Sequence, residues 1–204
     1  MIRLRAGIID YGVGNHTSVE RSIYALGHRC RISSDPELLD KVDLLILPGV
    51  GAFSSAMASL ESRDLHTYIT ESVERGRPLV GICLGMQMLT EASSEYGHTA
   101  GLGLIPGQVT ALKTPQWHIG WNELELTQDD PLLRASAGQS FYFNHSYAYE
   151  GPETYQVCRT PVDDGHVTSV IRREHIIGVQ FHPEKSQGAG LELMRHVIEG
   201  LCGA

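Results

Sequence analysis

The sequence predicts an α/β fold in which a mostly parallel central sheet is flanked by helices and extended by additional antiparallel strands. In the first half, short β-type segments alternate with segments of helical periodicity, which is typical of a parallel sheet covered on both faces. The run "LLIL" at residues 44–47 is continuously apolar, as expected of a strand buried on both sides. After about Gly101 the strand-like segments follow one another without intervening helices, and we expect these to add the antiparallel strands.

The expected elements follow in chain order. The first half contains a helix ending near Leu26, a long helical stretch from Ala52 to about Arg75, and strands at "LRAGIID", "CRIS", "VDLLILPG" and "PLVGI". The second half contains strand segments at "GQVTAL", "NELEL", "SFYFNHSYAYE", "YQVCRT" and "TSVIRREHIIGVQF". A closing helix runs from about Gly190 to Leu201, because apolar residues recur there at helical spacing. With 204 residues, 42% of them hydrophobic, and no internal repeat or linker, residues 1–204 are expected to form a single domain.

Charge and composition argue against several classes of protein. A net charge of -8 without a Lys/Arg cluster disfavours nucleic acid as a ligand. No apolar run reaches the roughly 20 residues that cross a bilayer, and no signal-peptide core follows the N-terminus, so we expect a soluble, cytoplasmic protein without a membrane partner. Because the four cysteines are far apart and form no C-x-x-C pair, we expect neither a disulfide framework nor a four-cysteine zinc site.

One cysteine lies where an apolar strand-like run gives way to a helix-like one, in "RPLVGICLGMQML" from Arg77 to Leu89. Gly81, Cys83 and Gly85 form a G-x-C-x-G pattern, which has the form of the G-x-S-x-G nucleophile elbow. The glycines allow a sharp turn that exposes the nucleophile, and the positive end of the helix dipole would favour a thiolate. The alternative is a buried core cysteine, since free cysteine is among the most buried residue types.

A base for this nucleophile is available in "GVQFHPEKS", where His182 and Glu184 follow a strand. Two residues apart in extended backbone, their side chains project to the same side, so Glu184 could hold one ring nitrogen of His182 while the other faces Cys83. A histidine in such a place is more often structural, and H-x-E also occurs in zinc deaminases, although their P-C-x-x-C partner is absent here. The other nine of the ten histidines show no metal-ligand spacing, so no metal site and no cofactor are expected.

Several motifs in this order carry a family resemblance. "GICLGMQML" and "FHPE" resemble the nucleophile and His/Glu motifs of the class I glutamine amidotransferases. "IIDYGVGNHTSVERSIYALG", "LILPGVGAF", "HIGWN", "YFNHSY" and "HPEKS" resemble one branch, the glutaminase subunits of imidazole glycerol phosphate synthase, and the similarity covers essentially the whole chain. Trp117 before His118, and the pair His16-Thr17, depart from that branch outside the catalytic motifs. The resemblance implies a flavodoxin-like α/β fold.

The resemblance also implies a reaction, the hydrolysis of L-glutamine to glutamate and ammonia through a thioester on Cys83. In this interpretation His182 transfers protons and Glu184 fixes its imidazole. The oxyanion would be received by main-chain N–H groups, that of Leu84 and one from "PGVG" at Pro48–Gly51, for which the candidates are Val50 and Gly51.

Substrate and partner contacts follow from the same resemblance. Gln87 comes one helical turn after Cys83 and is expected to contact glutamine. The weaker candidates for substrate contact are His145, Ser146 and Tyr147. Ammonia released into water becomes ammonium, which is not nucleophilic, so we expect a sheltered path to the enzyme that uses it. The resemblance implies that this enzyme is a separate (β/α)8-barrel cyclase, which forms a heterodimer with this chain. The residues expected at that interface are Asn15, Trp121, Tyr147 and Lys185.

Three alternatives are weighed against this interpretation. Gly12-x-Gly14 with Asp35 partly matches a dinucleotide fingerprint, but Thr17 stands where the pattern needs Gly or Ala. A glutaminase subunit of another synthase, such as that for anthranilate, aminodeoxychorismate or pyridoxal phosphate, is disfavoured by "DYGVGN", "PGVGAF" and "HIGWN". A catalytically inactive module of the same fold is disfavoured by the complete Cys/His/Glu set.

Overall fold

The computed structural model describes residues 3–113 and 115–203, and strands form most of its central layer. The strands of the first half of the chain are β1 Arg5–Ile9, β2 Arg29–Ser33, β3 Leu44–Gly49, β4 Leu79–Cys83, β5 Ala92–Ser93 and β6 Thr99–Ala100. Those of the second half are β7 Gln108–Ala111, β8 His118–Glu123, β9 Glu125–Leu126, β10 Ser140–His145, β11 Tyr147–Glu150, β12 Gln156–Val162, β13 Gly165–Arg173 and β14 Ile176–Val179.

The helices lie mainly in the first half of the chain and at its end. They are α1 His16–Ala25, α2 Pro36–Leu39, α3 Phe53–Glu61, α4 Leu65–Glu74, α5 Leu84–Met88 and α6 Gln187–Leu201. Short 3-10 helices occur at Arg134–Ser136, Glu153–Tyr155 and Pro183–Lys185. In the described part of the chain, no helix is long and apolar enough to cross a membrane.

The main sheet has eight strands in the order β2-β1-β3-β4-β14-β13-β12-β9. The first five strands run parallel to one another, and β13, β12 and β9 then continue the sheet, each antiparallel to the strand before it. This arrangement confirms the predicted mixed sheet. Two smaller sheets accompany it: β8 pairs with β10, and β5, β6, β7 and β11 form a four-stranded sheet.

Two apolar clusters cover the two faces of the parallel strands. Side chains of α1 and α6, among them Ile23 and Val197, pack in one cluster, and those of α3, α4 and α5 pack in the other. Every residue of β3 and β4 is buried, which explains why their sequences are almost continuously apolar. Burial on both faces also fixes where these strands end, and thus where the residues after them lie.

Two elements differ from the sequence prediction. The helical stretch expected from Ala52 to Arg75 is two helices, α3 and α4, because Asp64 adopts the left-handed conformation with φ 56°, which an α-helix cannot include. The segment "SFYFNHSYAYE" divides at Ser146 into β10 and β11, which belong to different sheets. A break of this kind leaves the hydrophobic pattern on either side unchanged, so the pattern does not reveal it.

Candidate active site

The candidate catalytic residues meet at the carboxyl edge of the parallel strands. Cys83 is the last residue of β4, and His182 follows β14, the neighbour of β4 in the sheet. Pro48–Gly51 lies at the end of β3, on the other side of β4, where Gly49 pairs with Cys83. In open α/β sheets, ligand-binding sites lie at this edge, outside the carboxyl ends of the strands.

The backbone at Cys83 makes a sharp strand-to-helix turn, with φ 55° and ψ -110°. These angles favour glycine and are strained for any other residue. The flanking glycines are required by close packing: a Cβ on Gly81 would lie 2.7 Å from the carbonyl oxygen of Gly85, and one on Gly85 would collide with the carbonyl of Leu47. The G-x-C-x-G pattern therefore has the turn that it predicts, with the side chain of Cys83 placed at the head of α5.

His182 and Glu184 are held together in a nearly water-free environment. Nδ1 of His182 lies 2.9 Å from Oε1 of Glu184, and the two side chains are only 3% and 1% exposed. Burial alone would lower the pKa of His182, but hydrogen bonding and charge attraction from Cys83 and Glu184 outweigh it and raise that pKa to about 9. The imidazole thus favours the protonated form when it faces a thiolate.

Strand β10 fixes the backbone of His182. The His182 N–H donates to the carbonyl of Tyr142 at 2.9 Å, and the Tyr142 N–H donates to the hydroxyl of Ser186 at 3.0 Å. The same hydroxyl donates to the carbonyl of His182 at 2.7 Å. The small sheet of β8 and β10 is therefore joined directly to the segment that carries the histidine.

A cavity of 480 Å³ opens beside Cys83. Cys83, His182 and Lys185 lie in its wall. The wall also contains all the residues expected to bind substrate or to form the oxyanion hole, which are Val50, Gly51, Leu84, Gln87, His145, Ser146 and Tyr147. It also contains Glu95, Tyr96 and Asn144, which the sequence did not reveal. The carbonyl oxygen of Asn144 lies 3.9 Å from the sulfur of Cys83.

Gln87 is almost fully buried, and its amide is oriented by two acceptors. Its Nε2 donates to the carbonyl of Tyr147 at 2.9 Å and to Oε1 of Gln180 at 3.1 Å. Both amide protons are used in these bonds, so the carbonyl oxygen of the Gln87 side chain is left as the acceptor for another group. Gln180 lies two residues before His182 in the strand-like segment, a spacing that could have placed it on the same side as His182.

His145 is a neutral residue within a hydrogen-bonded pair. Its Nδ1 donates to the carbonyl of Tyr147 at 2.9 Å, and its Nε2 lies 2.9 Å from Nδ1 of His118, whose own Nε2 lies 2.9 Å from Oδ1 of Asn122. Burial, together with the nearby His118 and His182, lowers the pKa of His145 to about 3 against the opposing effect of the Tyr147 carbonyl. Burial likewise lowers the pKa of His118.

The other three cysteines lie in environments that disfavour a thiolate. Burial raises the pKa of Cys30 and of Cys158 to about 12 and that of Cys202 to about 11. All four cysteines are free. Cys83, by contrast, adjoins His182 and is one of the groups that raise its pKa.

The residues expected at a partner interface have different surroundings. Trp121 on β8 is 48% exposed, and its ring meets that of Tyr142 with centroids 6.0 Å apart. Nζ of Lys185 lies 5.9 Å from the Tyr142 ring. Asn15 directly precedes α1, whereas Tyr147 belongs to the cavity wall. Tyr142, which was not expected at the interface, thus lies near both Trp121 and Lys185.

Within residues 3–113 and 115–203, no group of three or more His, Cys, Asp and Glu side chains is arranged to hold a metal ion. The polar groups around Cys83 instead form hydrogen bonds with one another and with main-chain carbonyls.

Comparison with known proteins gives consistent relatives. The family model of class I glutamine amidotransferases matches residues 7–198. The imidazole glycerol phosphate synthase subunit HisH of Streptococcus gordonii is 44% identical over 197 residues, which cover 94% of this chain and 94% of that protein. The subunit of the same name from Listeria monocytogenes is 41% identical, with 92% of each chain covered.

Solved structures agree on the fold. PurLQS from Thermotoga maritima has a chain with a TM-score of 0.77 at 19% identity, covering 98% of this chain and 100% of that one. A glutamine amidotransferase from the same organism has a TM-score of 0.70 at 16% identity, covering 100% of both chains. At these identities the likeness shows the shared architecture alone.

Proposed function

Since the chain belongs to the class I glutamine amidotransferase family, we propose that it is the glutaminase subunit of an imidazole glycerol phosphate synthase. It hydrolyses L-glutamine and supplies ammonia to a cyclase subunit, which forms imidazole glycerol phosphate and an aminoimidazole carboxamide ribotide in L-histidine biosynthesis. The family supports glutamine as substrate, and relatives named as subunits of that synthase, at 39% to 44% identity, support the particular complex. Solved structures of glutamine amidotransferases share the fold at much lower identity.

The arrangement of Cys83, His182 and Glu184 beside one cavity is the observation that carries the chemical part of this proposal. Cys83 as thiolate attacks the side-chain amide carbon of glutamine, and His182 as imidazolium donates a proton to the departing ammonia. Water that has lost a proton to His182 then hydrolyses the thioester and releases glutamate. Glu184 keeps the imidazole oriented through the 2.9 Å contact at Nδ1.

Main-chain N–H groups stabilise each tetrahedral intermediate. Leu84 is the first residue of α5, so its N–H has no intrahelical acceptor and lies directly after the nucleophile. Val50 or Gly51 supplies the second donor from the end of β3, across the cavity wall. The orphan oxygen of the Gln87 side chain is an acceptor suited to the ammonium group of a bound amino acid.

A partner subunit would dock near the catalytic histidine. Trp117, Ile119 and Trp121 alternate along β8 and the residue before it and are 61%, 60% and 48% exposed, so they form an apolar strip on one face of the β8–β10 sheet. Large exposed apolar residues in a row mark interaction surfaces. We assign this strip, with Tyr142 and Lys185, to the heterodimer interface with a (β/α)8-barrel cyclase. Asn15 belongs to the same proposed interface, and Tyr147 contributes from the cavity wall.

The reaction is tested by labelling and by substitution. A glutamine-mimicking diazoketone is expected to alkylate Cys83 and to leave Cys30, Cys158 and Cys202 unmodified, as measured by peptide mass mapping. Cys83→Ala in the assembled complex should abolish glutamine-dependent synthesis while synthesis from ammonium salts continues. Labelling elsewhere with Cys83 untouched, or the loss of both activities in an assembled complex, would reject the assignment.

The identity of the partner needs a separate experiment. The chain is mixed in turn with cyclases or synthases that need ammonia for imidazole glycerol phosphate, anthranilate or aminodeoxychorismate, and glutamine hydrolysis is measured. We expect stimulation by the imidazole glycerol phosphate cyclase with its ribonucleotide ligand. Stimulation by another synthase alone would reject this branch of the family while leaving the glutaminase chemistry in place.

A further inference from the structure

A buried glutamine that the proposed mechanism does not use bridges the nucleophile and the substrate pocket. Gln180 follows β14 and is 0% exposed. Its Nε2 lies 3.8 Å from the sulfur of Cys83, within the range of an N–H to sulfur hydrogen bond, and its Oε1 accepts from Nε2 of Gln87 at 3.1 Å. One carboxamide thus contacts both residues.

The direction of this bridge follows from the hydrogen bonds around it. The carbonyl of Tyr147 can only accept, so the Gln87 atom 2.9 Å from it must be the amide nitrogen. That same nitrogen faces Gln180, which must therefore present its oxygen to Gln87. The remaining end of the Gln180 side chain, its NH₂ group, then faces the sulfur of Cys83. If the Gln180 amide were reversed, its NH₂ group would face the NH₂ group of Gln87, which is also a donor. Its oxygen would then face the sulfur of Cys83 as a second acceptor.

We propose that Gln180 is a positioning residue, which donates a hydrogen bond to the thiolate of Cys83 and links the orientation of that sulfur to the side chain of Gln87. The inference rests on the proposed glutaminase function. When Cys83 is a thiol, its S–H has the carbonyl of Asn144 as an acceptor at 3.9 Å. When it is a thiolate, the amide of Gln180 and the imidazolium of His182 are its donors. Gln180 therefore favours the nucleophilic form.

The other titratable groups around the sulfur come from separate elements. His182 and, behind it, Glu184 follow β14, Tyr11 follows β1, and His145 ends β10. The hydroxyl of Tyr11 donates to the carbonyl of Pro48 at 2.8 Å. Glu95, Tyr96 and Lys185 line the same cavity wall as Cys83. Substitution of Gln180 removes none of these titratable groups, so a change in the protonation behaviour of Cys83 is assigned to the amide.

The test is the pH dependence of Cys83 alkylation by iodoacetamide in the full chain, with each cysteine followed by peptide mass. In Gln180→Met, which removes the donor and keeps a side chain of similar size, we expect the midpoint to rise by about one to two pH units, because a hydrogen bond to a charged group favours that form by roughly 10- to 100-fold. Glutamine turnover in the complex should fall by a similar factor. Ser169→Ala is the matched control. Ser169 is fully buried, and its main-chain carbonyl, which the substitution keeps, accepts the main-chain N–H of Gln180 at 2.9 Å. The midpoint of Cys83 alkylation should therefore not move in this variant.

A second variant tests the bridge from its other end. Gln87→Met removes the partner that holds Gln180 in place, so it should also raise the midpoint, and the double variant should match Gln180→Met alone because both changes act through one contact. If Gln180→Met does not fold, the Gln87→Met profile decides. An unchanged midpoint in folded Gln180→Met or in Gln87→Met, or strictly additive shifts, would overturn the proposal. These outcomes are independent of the Cys83→Ala result, which tests the glutaminase function itself.

Discussion

Replacing His145 by asparagine is expected to make the stability of the chain less sensitive to acid. In the native protein the buried ring of His145 is neutral; its Nδ1 donates to the Tyr147 carbonyl and its Nε2 faces Nδ1 of His118. Burial, with smaller contributions from His118 and His182, lowers the pKa of His145 to about 3. In the unfolded chain the residue would titrate with a pKa near about 6.5. Asparagine retains a donor for the carbonyl and does not titrate.

The sign and size of the effect follow from this pKa difference. Below about pH 6.5, His145 binds a proton in the unfolded chain but not in the native chain. The free energy of unfolding therefore falls as the pH falls, and this loss stops growing near pH 3, where the native residue also binds the proton. Each pH unit in that window costs about 1.36 kcal/mol. Between pH 8 and pH 5 the window spans about 1.5 units, so His145 alone removes about 2 kcal/mol.

Urea unfolding at pH 8 and pH 5 measures this loss, with fluorescence and circular dichroism transitions required to coincide. His145→Asn should be less stable than the parent chain at pH 8, because it loses the His118 contact. On moving to pH 5 it should lose about 2 kcal/mol less than the parent. His98→Asn, at an exposed histidine, should lose as much as the parent. An equal loss in the parent and in His145→Asn would show that native His145 accepts a proton freely, and would refute the reasoning.

Three further outcomes are expected. In Cys83→Ala the pKa of His182, measured by NMR of its ring protons, should fall well below about 9, because burial remains while the attraction of Cys83 is lost; a value that stays near 9 would assign the whole effect to Glu184. Gly85→Ala should lower the free energy of unfolding by about 3 kcal/mol or more, since its Cβ meets the backbone of β3, whereas Gly188→Ala, in open space on α6, should be neutral or stabilising; equal effects in the two would contradict the packing argument. Lys185→Ala should weaken cyclase binding or stimulation and leave diazoketone labelling of Cys83 intact; unchanged assembly and stimulation would remove Lys185 from the interface.

The sequence predicts the parts of this molecule that local patterns determine. Continuous apolar runs identify β3 and β4, and the G-x-C-x-G and H-x-E spacings identify a turn and a side-chain pair that need only neighbouring residues. The contacts of His118 with His145 and of Gln180 with Gln87 depend instead on strand pairing and on packing between distant segments. No spacing along the chain encodes them.

The choice between Tyr142 and Tyr147 shows the same limit at a single segment. Both tyrosines lie in "SFYFNHSYAYE", but only Tyr147 was expected at the interface. The division of the segment at Ser146 places Tyr142 beside Trp121 and Lys185, and Tyr147 in the cavity wall. The course of the backbone at one residue decides which tyrosine lies beside Trp121 and Lys185 and which lines the cavity, and that course depends on which sheet each half joins.

The backbone angles of Cys83 have an evolutionary consequence. A residue with φ 55° and ψ -110° is strained unless it is glycine, so Cys83→Gly would relieve about 1 kcal/mol or more of strain. Selection for folding alone therefore favours the loss of the thiol, and only selection for glutamine turnover opposes it. In a lineage whose cyclase draws on free ammonia, selection for glutamine turnover would no longer oppose the relief of this strain, so glycine should be accepted at this position.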